Sequence, residues 1–173
     1  MMNILKSEFY KLKHTWIPWA HFILPVLYAL IFYGAATFTS LKNFSDMDII
    51  LNYFVLLGAI LPIIFGAITS KVVDMEASAG RFQVILSTTK SRSKAYGGKL
   101  IMLLLSFLFS ISLAVFIFAM LFGNQATMAW LIELLLVFIG CLSTYMIHLW
   151  VSLMLGGGAS IGLGFVETLI ALL

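Results

Sequence analysis

The reading of Leu100–Phe122, LIMLLLSFLFSISLAVFIFAMLF, decides the fold: 23 residues without a charge, preceded by Lys99 and followed by Gly123-Asn124-Gln125. A helix of about 20 apolar residues crosses a hydrocarbon core of about 30 Å. The stretch shows no sustained period-2 alternation, and in lipid only a helix or a closed barrel satisfies its own backbone. It reads as a membrane-spanning helix. Working outward, the same reading applies to 16–38, uncharged apart from His21, to 49–70, bounded by Asp48 and Lys71, and to 128–155, broken only by Glu133 and His148. A shorter run over 157–173 carries Glu167.

Composition agrees with the spans. The chain is 62% hydrophobic and 10% charged, against about 45–50% and about 25% in ordinary globular proteins. A net charge of +3 is too small for a nucleic-acid module. Cys141 is the single cysteine, which excludes a disulfide framework and every multi-cysteine metal motif. The first apolar run is too long for the core of a cleaved signal, about 7–15 residues.

The basic residues predict the orientation. Lys6, Lys11, Lys13, Lys71, Arg81, Lys90, Arg92, Lys94 and Lys99 fall on one side of the spans and Lys42 on the other. The positive side is expected to be cytoplasmic, so the amino terminus is placed inside. Trp16 and Trp19 are then expected at the inner interface and Trp130 at the outer one.

Two segments outside the spans carry pattern. In the first 15 residues, Leu5, Phe9, Leu12 and Trp16 share one helical face, with Lys6, Tyr10, Lys11, Lys13 and His14 around it. Such a basic amphipathic helix lies in the headgroup plane, and Pro18 starts a new helical turn better than it continues one. In the 71–99 loop, Arg81 to Leu86 can form a short helix with Phe82, Ile85 and Leu86 on one face. Composition leaves open whether this is a docking surface or a solvated loop whose charges only enforce topology. The expected fold is an all-α integral membrane protein in one domain: an in-plane amphipathic helix over 1–15, four full transmembrane helices (16–38, 49–70, 100–122, 128–155) and a truncated fifth (157–173). The apolar Leu169–Leu173 end has no polar flank, so a carboxy-terminal truncation is expected.

The loop pattern Asp74-x-Glu76-x-Ser78-x-Gly80-Arg81, then Ser87-x-x-x-Ser91-Arg92-x-Lys94 and Gly98-Lys99, resembles the membrane subunits of type-2 ABC exporters. With the opening Asn3-Ile-Leu-Lys-Ser-Glu8-Phe-Tyr-Lys-Leu-Lys13, it is most similar to the lantibiotic-immunity permeases of Gram-positive bacteria. The resemblance covers the whole chain, although those permeases usually have six spans. It implies a bacterial cell-membrane protein with a coupling helix around Gly80 to Ser87. Glu76, Gly80, Phe82, Gln83, Ile85 and Leu86 would then serve the contact with an ATP-binding subunit. It also implies a second permease subunit, identical or not, and a cationic lantibiotic-like peptide as cargo. The rival reading is a membrane protein that transports nothing: a scaffold, a sensor or a peptide-binding immunity protein acting without ATP.

No catalytic or metal centre and no cofactor is expected. A phosphate loop needs G-x-x-x-x-G-K-[ST], but Gly98-Lys99 has Ser93 in place of the first glycine and Leu100 in place of the hydroxyl. Gly158-Ala-Ser160-Ile-Gly162 matches the G-x-S-x-G elbow, yet follows an apolar helix rather than a strand. It reads better as small residues that let helices approach, through Gly158-x-x-x-Gly162 and Ser160-x-x-x-Gly164. Glu167, about 15 Å into its span, and Glu133, near the outer end, are the candidate substrate path. An interhelical hydrogen bond for Glu167 and headgroup contact for Glu133 are the plainer readings. His21 and His148 read as packed polar residues.

Overall fold

The computed structural model describes residues 2–78, 92–123 and 126–173, and helices are its only regular elements. They are α1 (Met2–Leu12), α2 (Ile17–Phe38), a 3-10 turn (Ser40–Asn43), α3 (Asp46–Ser78), α4 (Arg92–Phe122), α5 (Thr127–Leu155) and α6 (Gly157–Ala171). Helices α2 to α5 are each long and apolar enough to cross a membrane. Helix α6, with 15 residues, is roughly 22 Å long at 1.5 Å per residue, short of the full core.

Local chemistry sets the boundaries. Thr15 ends the α1 segment by donating to the Leu12 carbonyl (2.8 Å) and accepting from the Ile17 amide (3.3 Å). Pro18 then stands in the first turn of α2, where its missing N–H costs nothing. Ser45 accepts from the Asp48 amide (3.2 Å) and donates to the Asp48 carboxylate (2.7 Å), a reciprocal cap for α3. Helix α3 has 33 residues, roughly 50 Å. It overruns the apolar 49–70 stretch at both ends, so residues 71–78, expected as loop, continue the helix.

The spans are joined by specific contacts. Pro25 has no N–H to give the His21 carbonyl, and Ser110 of α4 fills that place with a 2.8 Å hydrogen bond. Helices α2 and α3 touch little, but the Tyr28 hydroxyl reaches the Tyr53 carbonyl at 2.6 Å. Tyr53 stacks on Phe118 at 4.0 Å, and Phe32 meets both rings edge-on. Trp130, expected as an interface anchor, turns inward: it is 7% exposed and packs on Phe54 and Phe118. The reason is that α5 starts beside this aromatic cluster, where burial of an indole outweighs its headgroup contact.

The most extensive helix pair is α3 with α6. A Cβ added at Gly66 would stand 2.6 Å from the Ser160 carbonyl oxygen, and one at Gly164 would run into the Pro62 carbonyl. Ser160-x-x-x-Gly164 thus makes the close approach. Gly158 and Gly162 face open space, because two residues along a helix is about 200° around it.

Candidate functional site

Two polar networks stand out in this apolar molecule. The first lies at the end of the bundle that bears most of the basic residues. The Lys99 ammonium of α4 contacts Glu8 of α1 at 2.8 Å and Glu76 of α3 at 2.9 Å. Lys11, one turn after Glu8, contacts both carboxylates at 2.7 Å. Two cations and two anions therefore tie three helices together with no net charge. Burial would weaken Lys11 as a base, but hydrogen bonds and charge from Glu76 and Glu8 outweigh it and raise its pKa. Glu76 lies past the apolar run that closes at Ser70. Its own burial favours the acid form, yet Lys11 and Lys99 hold its pKa below the ordinary value. The strap brackets the loop: Glu76 stands in the last turn of α3 and Lys99 two turns into α4.

The second network runs between α3, α5 and α6 within the spans. Thr69 donates to the Phe65 carbonyl (2.8 Å) and accepts from Ser152 (3.0 Å). Ser160 lies 3.0 Å from Thr69, 3.1 Å from the His148 carbonyl and 2.8 Å from His148 Nδ1. The other ring nitrogen, Nε2, meets Glu167 at 3.0 Å. The residue types of a hydrolytic triad are thus in line. Ser160 and His148 are nevertheless fully buried, and the serine oxygen is already engaged by three partners within the chain. The arrangement is suited to holding helices together, not to attacking a substrate.

The expected site residues are placed unequally. Glu76 faces inward, held by Lys11 and Lys99. Gly80, Phe82, Gln83, Ile85 and Leu86 lie outside the described residues. Glu167 is bonded to His148, while half-buried Glu133 sits early in α5. Counted along the two helices, the acids differ by roughly 18 Å in depth at 1.5 Å per residue, so they do not form one acidic path. The sequence assigned no contact to Glu8, Thr69 or Ser152. A signal for Glu8 existed in its i,i+3 spacing to Lys11, and one for Ser152 in its i,i+4 spacing from His148. Among the described residues, no three His, Cys, Asp or Glu gather as a metal set.

The described residues thus form a polytopic helical bundle with an ionic strap at its basic end. Residues 4–170 match the family model described as ABC-2 family transporter protein, and the chain belongs to that family. It is therefore a multi-pass permease subunit of an ABC transporter, not itself the ATPase, and family membership implies an ATP-binding subunit and a permease dimer. No curated protein and no solved structure matches the chain significantly.

Proposed function

We propose that the chain is the permease of an ATP-driven exporter in a bacterial cell membrane, with its amino terminus in the cytoplasm. Its cargo is a cationic, lantibiotic-like antimicrobial peptide, taken from the membrane and released outside as self-protection. Membership of the transporter family across residues 4–170 is the observation that carries the transport reading; the loop and tail residues that resemble immunity permeases carry the cargo. In this mechanism a coupling helix around Gly80 to Ser87, with Phe82, Ile85 and Leu86 as its apolar residues, fits the ATP-binding subunit. ATP-driven closure moves that segment, and the Glu8–Lys11–Glu76–Lys99 strap passes the motion from α3 and α4 to α1.

The test is Phe82→Asp. The residue lies in a loop outside the apolar runs, so insertion and expression should be unchanged. Removing an anchor from a buried interface typically costs about 2 kcal/mol or more, and a buried carboxylate adds to that. Co-purification of the ATP-binding subunit and peptide resistance in producing cells should both be lost, while Arg92→Gln changes little. Wild-type association and resistance in Phe82→Asp would refute the coupling assignment. Association lost without any peptide phenotype in the parent cells would leave the permease and remove the cargo.

A further inference from the structure

Helices α2 and α3 leave a groove between them along the half of the spans nearest the basic end. Leu24, Leu27 and Ile31 of α2 and Ile60 and Ile64 of α3 form its walls, and Ile111 of α4 lies at its floor, around a cavity of about 290 Å³. The three α2 residues are exposed and Ile111 is buried, so the groove opens sideways, toward lipid. It runs from Ala20 to Ile31 on α2 and, antiparallel to that, from Ile68 to Leu57 on α3. Either stretch is roughly 16 Å long at 1.5 Å per residue, and half of a hydrocarbon core of about 30 Å is about 15 Å. Across the far end the Tyr28 hydroxyl reaches the Tyr53 carbonyl at 2.6 Å, with the two rings 5.0 Å apart. The groove has the depth of one leaflet and a stop at the bottom.

Its lining is apolar in effect, because Ser110, His21 and Tyr28 are turned to the His21, Ile17 and Tyr53 carbonyls. The polar groups lie at the mouth. Trp16 extends the track: with Ile63 and Ala67 it lines a recess of about 200 Å³ that shares Leu24, Ile64 and Ile68 with the groove. Lys71 continues the α3 stripe, since positions three and four residues apart share a helix face and Ala67, Ile68 and Lys71 stand at that spacing. Among the described residues its side chain forms no ion pair. Asp74, the nearest acid along α3, accepts from Ser70 at 3.4 Å and stands beside Gly157 of α6 instead.

We propose that the α2–α3 groove binds one anionic phospholipid from the leaflet at the basic end, with an acyl chain between Leu24, Ile60 and Ile64 and the phosphate against Lys71 and the Trp16 indole N–H. Charge complementarity selects the headgroup, and depth selects the chain. Volume excludes a helix as occupant, because a helix about 10 Å across fills roughly 1,200 Å³ over this length. Bound there, the lipid supplies packing that α2 and α3, which touch little, do not give each other. The site fills from the bilayer itself, so the proposal does not depend on the cargo.

The experiment is native mass spectrometry of the purified full chain in a neutral detergent, with phosphatidylglycerol or phosphatidylcholine of matched chains added. The wild type should retain one phosphatidylglycerol, about fivefold more tightly than phosphatidylcholine, the factor expected of one lysine near an anionic headgroup. Lys71→Gln should lose that preference and keep weak binding of both lipids. Lys42→Gln, which removes the same charge at the other end of the bundle, should keep it. Leu24→Trp places a larger side chain at the exposed mouth and should weaken both lipids. Equal uptake of the two lipids by the wild type would mean annular lipid only and overturns the proposal. So does a lipid-free dimer, which would put a second copy in the groove. Equal losses in Lys71→Gln and Lys42→Gln overturn it as well, and that pair can be read even if Leu24→Trp fails to fold.

Discussion

The ionic strap and the intramembrane chain solve the same problem by different means. At the basic end, Lys11, Lys99, Glu8 and Glu76 balance formal charges two against two, with Lys11 half-exposed and the other three buried. Within the spans, Thr69, Ser152 and Ser160 form a chain of hydroxyls, and its one acid, Glu167, meets the His148 ring at 3.0 Å. Paired formal charges hold α1, α3 and α4 together, and a chain of hydroxyls ending on one acid–imidazole contact holds α3, α5 and α6.

The pH response of the strap follows from Glu76 and Lys11. Glu76 has a folded-state pKa below its ordinary value, so its contribution is complete above that value and is lost only as pH falls through the depressed one. Lys11 has a raised pKa, so its contribution is complete below about 10.5 and is lost only at higher pH. Between about pH 6 and 8 the contributions of Glu76 and Lys11 should therefore both be complete.

The largest expected effect is at Lys99, whose side chain is 5% exposed. Lys99→Met leaves Glu8 and Glu76 facing each other without their buried cation, a change that typically costs about 3–5 kcal/mol. Lys11, at 42% exposure, touches the same two acids but is solvated, so Lys11→Met should cost about 1 kcal/mol or less. Unfolding midpoints of the two variants check the contrast; equal losses would mean that burial does not rank the strap's members.

The α3–α6 contact that supports the intramembrane chain gives a smaller difference of opposite signs. Gly164→Ala gains up to about 1 kcal/mol of helix propensity, but its new methyl meets the Pro62 carbonyl. Overpacking of this kind costs about 1–3 kcal/mol, so the net effect is destabilising. Gly162→Ala meets nothing within 4 Å and should keep the propensity gain. Thermal unfolding of the pair decides whether the stripe is placed correctly. Matching shifts would show that α6 does not approach α3 through Gly164.

How far the sequence could be read follows from the same physics. Spans announce themselves because about 20 successive residues must be apolar, and Leu100–Phe122 does so without ambiguity. The α1–α2 break was legible in Pro18. The overrun of α3 to Ser78 was not, since Lys71, Asp74 and Glu76 read as loop until Glu76 is seen paired with Lys11 and Lys99. The packing of Trp130 on Phe54 and Phe118 was not legible, because a tryptophan near a span end fits an interface and a core equally well from one dimension. Glu167 was recognised as a residue needing a partner, but Ser160, His148 and Thr69 are separated by up to 91 residues. Only the tertiary fold brings them together.

The central claim is that the strap links the loop-bearing helices to α1 in an ATP-driven permease. It is tested most directly by a fluorescent or spin label at Lys13→Cys, just beyond α1, in a Cys141→Ala background with the ATP-binding subunit bound. Adding a non-hydrolysable ATP analogue should change the label's signal. Glu8→Gln, which removes one of the two carboxylates bridging α1 to Lys99, should abolish most of that change while leaving the ATP-binding subunit attached. A response of wild-type size in Glu8→Gln would contradict the account, as would a label that ignores nucleotide in the unaltered strap.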